Sequence, residues 1–184
     1  VAPSGASFPV AVIGIACRAP GGTDKEAFWR NLVGGVDSVT TIPSSRWDAQ
    51  DLYRRRHEPG KTMSQWGGFI EDVERVNPAL FSMNAEGAAD LDPLIRLFTE
   101  ASIAAVLDSP YDQVSLKGRR VGVFAGARAR RYAVRIDLPG KHSVTGVGQN
   151  LIAAFVSQLL DLRGPSLVLD SACSSSLAAV HLAC

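Results

Sequence analysis

Cysteine is scarce in this sequence, and its placement is uninformative for any cross-linked fold. Only Cys17, Cys173 and Cys184 occur, an odd count with no CxxC pair. That excludes a disulfide framework and gives no zinc-ligand spacing. Long hydrophobic runs are missing too: none approaches the ~20 residues that a membrane span needs. Val1 to Val10 has neither a basic n-region nor a long apolar core, so no secretory signal is expected there. An excess of charge of one sign is also lacking. Nineteen basic and eighteen acidic side chains leave +1, which gives no reason to expect nucleic acid or a membrane as partner. Repeats and low-complexity tracts are absent, because the seventeen glycines and ten prolines are scattered as punctuation. Free thiols fit a reducing compartment, so a cytoplasmic location is expected.

What is present suits a mixed globular domain. Hydrophobic residues make up 46% of the chain, enough for a sizeable core, and 184 residues is the length of one domain. Val10-Ala-Val-Ile-Gly-Ile-Ala16 is a continuous apolar run with β-branched residues and reads as a buried strand. Thr23 followed by Glu26 reads as a capping box for a helix with Phe28, Trp29, Leu32 and Val33 on its apolar face. Gly34-Gly35 would end that helix.

Thr40 to Met83 reads as a long irregular insertion holding Trp47, Tyr53, Trp66 and Phe69, a length that points to a functional or interface-forming segment. Arg54-Arg55-Arg56 within it reads as solvated surface, with docking of an acidic partner as the other reading. Asp92-Pro93 is a helix start with Asp at the N-cap, and that helix should run to Ser109-Pro110. Val121 to Ala125 reads as a buried strand, Gly126 to Thr145 as a basic irregular stretch, and Asn150 to Leu162 as a helix. Ser166 to Leu169 reads as a strand and Leu177 to Cys184 as a helix. This alternation predicts a layered α/β fold with a largely parallel sheet.

Between the last strand and the last helix lies Asp170-Ser-Ala-Cys-Ser-Ser-Ser176. A thiol at a helix N-terminus meets unpaired amides and the positive end of the helix dipole, which favour the reactive thiolate. Small neighbours (Ser171, Ala172 and Ser174 to Ser176) let a substrate approach, and the serines are expected to cap the exposed amides. Cys173 therefore reads as a nucleophile. Two other readings stand beside it: a small buried hydrophobe, and a serine nucleophile, which lacks its G-x-S-x-G pentapeptide here.

Asp170-Ser-Ala-Cys-Ser-Ser-Ser-Leu177, with Ala178-Ala-Val-His-Leu-Ala-Cys184 after it, resembles the active-site signature of the ketosynthase (β-ketoacyl synthase) domains of bacterial modular type I polyketide synthases. Other blocks resemble the same family, in the same order. They are Val12-Ile-Gly-Ile-Ala-Cys-Arg18 with Pro20-Gly-Gly22, Arg46-Trp47-Asp48, Gly60-Lys-Thr62 to Trp66-Gly-Gly-Phe69, Asp92-Pro93 with Arg96, and Arg163-Gly-Pro-Ser166.

The resemblance implies a thiolase-like α/β/α fold, with residues 1–184 as the N-terminal portion of a ketosynthase domain ending in the helix after the cysteine. It implies that Cys173 accepts an acyl chain from the phosphopantetheine arm of an acyl carrier protein. Decarboxylative condensation with a malonyl-type extender would follow. It implies a homodimer in the complete domain and other polyketide synthase domains as partners, with no metal and no directly bound cofactor. The Cys173 N–H is a natural donor to the thioester oxyanion.

The family's two catalytic histidines, and the glycine-rich loop expected to give a second oxyanion donor, lie downstream of the matching cysteine and have no match here. His181 stands eight residues beyond Cys173 on one helix, ~12 Å along the axis, too far to act as a base. His57 and His142 read as loop residues. The fragment alone is thus expected to be inactive in condensation. A non-catalytic remnant that acts only in subunit association is the alternative.

The sequence departs from the family pattern at Ser171 (usually Thr), at Phe155 (usually Arg) and at Leu94-Ile95 (usually two glutamines). The basic stretch from Arg128 through Arg130, Arg131, Arg135 and Lys141 to His142 reads as a solvated loop, or as part of a carrier-docking face. Cys17 and Cys184 read as packing residues.

Overall fold

The computed structural model describes residues 9–128 and 148–184. By their internal contacts these fall into two compact units. One comprises residues 9–15, 74–128 and 148–184, the other residues 16–73.

In the smaller unit, Pro20-Gly21 makes a tight turn in which Ala19 and Gly22 exchange backbone hydrogen bonds of 2.8 and 2.9 Å. Gly21 has φ +72°, the left-handed conformation that a type II turn requires after proline. Helix α1 (Lys25–Val33) follows. Its N-cap is Asp24, whose carboxylate accepts from the Ala27 amide at 2.7 Å. The cap expected at Thr23 therefore lies one residue later, because an ionised carboxylate is the better acceptor at the positive end of a helix. Strand β1 (Val39–Thr41), helix α2 (Ala49–Leu52) and strand β2 (Trp66–Gly68) come next. β1 and β2 pair antiparallel, with Thr40 opposite Gly67. Part of the stretch read as irregular is thus an ordered ribbon.

Two motif blocks of the sequence meet in this unit. Arg46 Nη2 donates to the Ile70 carbonyl at 2.6 Å, and its guanidinium carbon lies 6.0 Å from the Phe69 ring centre. Trp47 meets Phe69 edge-on at 6.5 Å. Arg54 is tied down as well, to the Asp51 and Tyr53 carbonyls at 2.8 and 2.7 Å, while Arg55 and Arg56 are exposed as expected.

The larger unit holds α3 (Ala85–Ala89), α4 (Pro93–Asp108), α5 (Gln113–Leu116), β3 (Val123–Gly126), α6 (Leu151–Leu159), β4 (Ser166–Leu169) and α7 (Ser175–Ala183). α4 starts as expected: Asp92 accepts from the Leu94 amide at 2.7 Å, and Pro93 is the first helical residue. Burial raises the Asp92 pKa, opposed by the Leu94 amide and by Arg96. Ile95, Thr99 and Ile103 recur every four residues on its buried face. Arg96 is only 3% exposed, yet it is satisfied: Nε donates to the Leu91 carbonyl at 3.1 Å and Nη1 to the Glu74 carbonyl at 3.2 Å. A buried guanidinium with fixed carbonyl partners locks the approach to α4.

α6 buries Ile152, Ala153 and Val156 against β3 and α4. With Ile95, Val123, Ala125 and Leu160 they form the core, and Phe98, Phe155 and Val168 pack around it. β3 and β4 pair in parallel, Val123 opposite Ser166 and Gly126 opposite Leu169. α6 and α7 both pack on this pair.

One expected strand does not form. Val10 to Ala16 has no ladder partner among the described residues. Val12 is 77% exposed, and Val10, Ile13 and Ile15 are exposed beside it. The backbone at Gly14 instead lies against the Ala105 carbonyl of α4, and Ile15 donates to the Asp108 carboxylate at 2.9 Å. The run has the composition of a covered strand, but a strand also needs neighbouring strands to accept its backbone bonds.

Candidate active site

β4 ends at Leu169, and the chain turns through Asp170 and Ser171 into a single 3₁₀ turn, Ala172–Ser174, before α7 begins at Ser175. Cys173 is exposed in the middle of that turn. It stands just ahead of the helix rather than inside its first turn. The reading of Cys173 as a buried hydrophobe is therefore excluded by its exposure. Cys17 is half-buried and Cys184 is exposed.

Ala172 has φ +55°. A non-glycine residue pays for that left-handed conformation with ~1–2 kcal/mol of steric strain, so its surroundings must fix it. Four hydrogen bonds do so. Asp170 Oδ1 accepts from the Ala172 amide at 3.0 Å. Ser175 Oγ donates to the Ala172 carbonyl at 2.7 Å and accepts from the Ser171 amide at 2.9 Å. Ser174 Oγ donates to the Ser171 carbonyl at 2.8 Å. The serines thus bind back into the turn. Neither Ser171 nor Ser174, which occupy the two N-cap positions, makes a side-chain cap bond. The expectation that they cap the exposed amides is corrected: short hydroxyl side chains here serve the non-helical backbone beside them. The Cys173 amide has no acceptor among the described residues.

The turn is also seated from below. A Cβ on Gly126, at the end of β3, would lie 2.5 Å from the Ser175 carbonyl and the Ser176 amide, so only glycine lets β3 pass so close to the start of α7. Two residues on, Arg128 Nε faces both Asp170 carboxylate oxygens, at 3.2 and 3.0 Å. The Arg128 guanidinium, and after it the Ala172 amide, hold the Asp170 carboxyl below the ordinary carboxylate range. Sequence reasoning placed Arg128 in a solvated loop or on a docking face. The structure instead joins it to the cysteine turn, which the sequence could have signalled only through its position two residues past a strand that pairs with β4. The remaining residues of that basic stretch, Arg130, Arg131, Arg135, Lys141 and His142, lie outside the described residues. His57 is exposed in a loop of the smaller unit, and His181 is exposed on α7.

The family model for "Beta-ketoacyl synthase, N-terminal domain" matches residues 7–184. The chain belongs to the beta-ketoacyl synthase family. It is 42% identical over 186 aligned residues to the polyketide synthase ThaG of Burkholderia thailandensis, covering 99% of this chain and 3% of that protein. It is 40% identical to the polyketide synthase PksM of Bacillus subtilis, covering 97% of this chain and 4% of that one. Among solved structures it superposes on the ketosynthase domain OzmH KS7 for oxazolomycin from Streptomyces albus with a TM-score of 0.84 at 37% identity, covering 94% of this chain and 31% of that one. The ketosynthase from module 6 of the Bacillus subtilis bacillaene synthase gives 0.83 at 31% identity, covering 94% and 28%. The fold is therefore thiolase-like, as expected, and the chain spans under a third of these solved ketosynthases and a few per cent of the synthases.

Two of the departures from the ketosynthase pattern, Ile95 and Phe155, are packing residues here. Ile95 is in the core, while Leu94 is exposed. Phe155 packs against Phe81 with ring centres 5.9 Å apart and the rings tilted by 51°. Both rings line an open cavity of about 500 Å³ with Met83, Leu91 and Leu151. Cys173 is not part of its lining. Among the described residues, no group of three or more His, Cys, Asp and Glu side chains could hold a metal ion, and no helix is long and apolar enough to cross a membrane.

Proposed function

We propose that Cys173 is the acyl-accepting thiol of a polyketide ketosynthase, and that residues 1–184 are the N-terminal portion of that domain. The supporting observation is its exposed place in a strained turn between a parallel strand and a helix, within a chain that matches the family from residue 7 to residue 184. The Cys173 thiolate attacks the thioester carbonyl of an acyl group carried on phosphopantetheine. The new S–C bond forms as the carrier's thiolate leaves, and the amide of Cys173, lacking an acceptor among the described residues, is available to the oxyanion.

The extension step joins that acyl group to a malonyl-type unit, with loss of carbon dioxide and return of the Cys173 thiolate. Neither histidine among the described residues is offered for it: His57 lies in an exposed loop, and His181 is exposed on α7. Acyl loading, rather than condensation, is the half-reaction proposed for this chain, with an acyl carrier protein as donor and a homodimer as the assembly of the complete domain. The exposed apolar side chains Leu177 and Val180 on α7 and Leu167 on β4 support association with further protein surface.

The test is mass spectrometry of the chain after exposure to a short acyl N-acetylcysteamine thioester. Acyl label is expected on Cys173 in preference to Cys17 and Cys184, and lost in Cys173→Ala. Equal labelling of the three thiols, or preference for Cys184, overturns the assignment and favours a non-catalytic role in subunit association.

A further inference from the structure

We propose that Arg128 is a positioning residue for Cys173, acting through Asp170. The inference rests on the reading of Cys173 as the acyl acceptor. Three observations carry it. First, Arg128 is fixed at its root: the preceding Ala127 amide donates to the Leu169 carbonyl at 3.0 Å, extending the β3–β4 ladder to the residue beside it. Second, its Nε meets both oxygens of Asp170, and one of those oxygens, Oδ1, also accepts from the Ala172 amide at 3.0 Å. One carboxylate thus joins the guanidinium to the backbone of the residue before the cysteine. Third, Ala172 is held at a positive φ that it would not adopt unaided. The orientation of the Asp170 carboxylate therefore helps to set where the Cys173 thiol and amide point.

Without Arg128 the carboxylate loses the partner that fixes its rotation, and the Ala172 amide loses an oriented acceptor. The cost falls on geometry more than on folding. The Arg128 side chain is 55% exposed, and ion pairs so open to water contribute little to stability. Small displacements of a reacting group, by contrast, are costly in rate.

The experiment compares Arg128→Met, Arg128→Lys and the parent chain in their second-order rates of Cys173 acylation by the same N-acetylcysteamine thioester. Alkylation of Cys184 by iodoacetamide is followed in each as an internal reference. Arg128→Met is expected to slow Cys173 acylation by about 10-fold, with Cys184 unchanged. Arg128→Lys, which keeps the charge beside Asp170, should restore most of the rate. Adding Asp170→Asn to Arg128→Met should cost little beyond the Asp170→Asn change alone, because both act through one carboxylate. An unaltered rate in Arg128→Met overturns the proposal, as does a loss that Lys does not rescue or one shared by Cys184. If the parent itself shows no preference for Cys173, it is the acyl-acceptor assignment that fails.

Discussion

Gly126 and Ser175 approach so closely that the end of β3 and the start of α7 leave no room for a methyl group between them. Both sides of the contact are main chain, which cannot swing aside as a flexible side chain can. Gly126→Ala should therefore destabilise the chain by ~1–3 kcal/mol, the usual cost of overpacking. Chemical denaturation of the two proteins measures it. A change within a few tenths of a kcal/mol would show that the turn around Cys173 can yield.

Asp161 closes α6 in a conformation suited to glycine. Its φ is +51°, its amide donates to the Gln158 carbonyl at 3.2 Å, and the next amide, that of Leu162, donates to the Ser157 carbonyl at 2.8 Å. That is the double bond pattern of a Schellman stop, with aspartate at the position glycine prefers. The carboxylate also sits at the negative end of the helix dipole. Its ion pair with Arg163, at 2.6 Å, is exposed and offsets little of this. Asp161→Gly is expected to stabilise the chain by ~0.5–1 kcal/mol, read as a raised melting temperature. A lowered one would mean that the Arg163 pair outweighs the backbone strain.

Thr99 is fully buried on α4, and its hydroxyl has no hydrogen-bond partner among the described residues. Burying an unpaired hydroxyl costs on the order of 1–3 kcal/mol relative to water. Thr99→Val keeps the branched shape and removes the hydroxyl, so a gain of about 1 kcal/mol is expected in the same denaturation experiment. A loss would show that the hydroxyl has a partner, such as a bound water.

Much of this architecture was legible in the sequence because local chemistry dictates it. Asp92-Pro93 had to start a helix, and Ser166 to Leu169 is a strand with the expected bounds. The thiol at the strand–helix junction was found by the same reasoning. What the sequence concealed was non-local. Val10 to Ala16 has a strand's side chains, but whether it pairs depends on partners elsewhere. Arg46 and Trp47 read only as motif letters until the fold set them on Phe69 and Ile70. The serines after Asp170 read as caps because they are good caps, and turn geometry redirected them. Arg128 could not be assigned from its basic neighbourhood, since its partner lies forty-two residues on.

The parallel pairing of β3 with β4 carries a kinetic consequence. β3 ends at Gly126 and β4 starts at Ser166, so their ladder closes a long stretch of chain before any hydrogen bond repays the lost entropy. Helices α4 and α6 each form from neighbours in sequence, whereas the β3–β4 ladder, like the docking of α4 on α6, joins residues more than forty apart. Gly126, Arg128 and Asp170 meet only when that ladder is complete. The geometry around Cys173 is thus expected to assemble with that ladder rather than with either flanking helix, so the thiol gains its fixed surroundings only once distant parts of the chain have met.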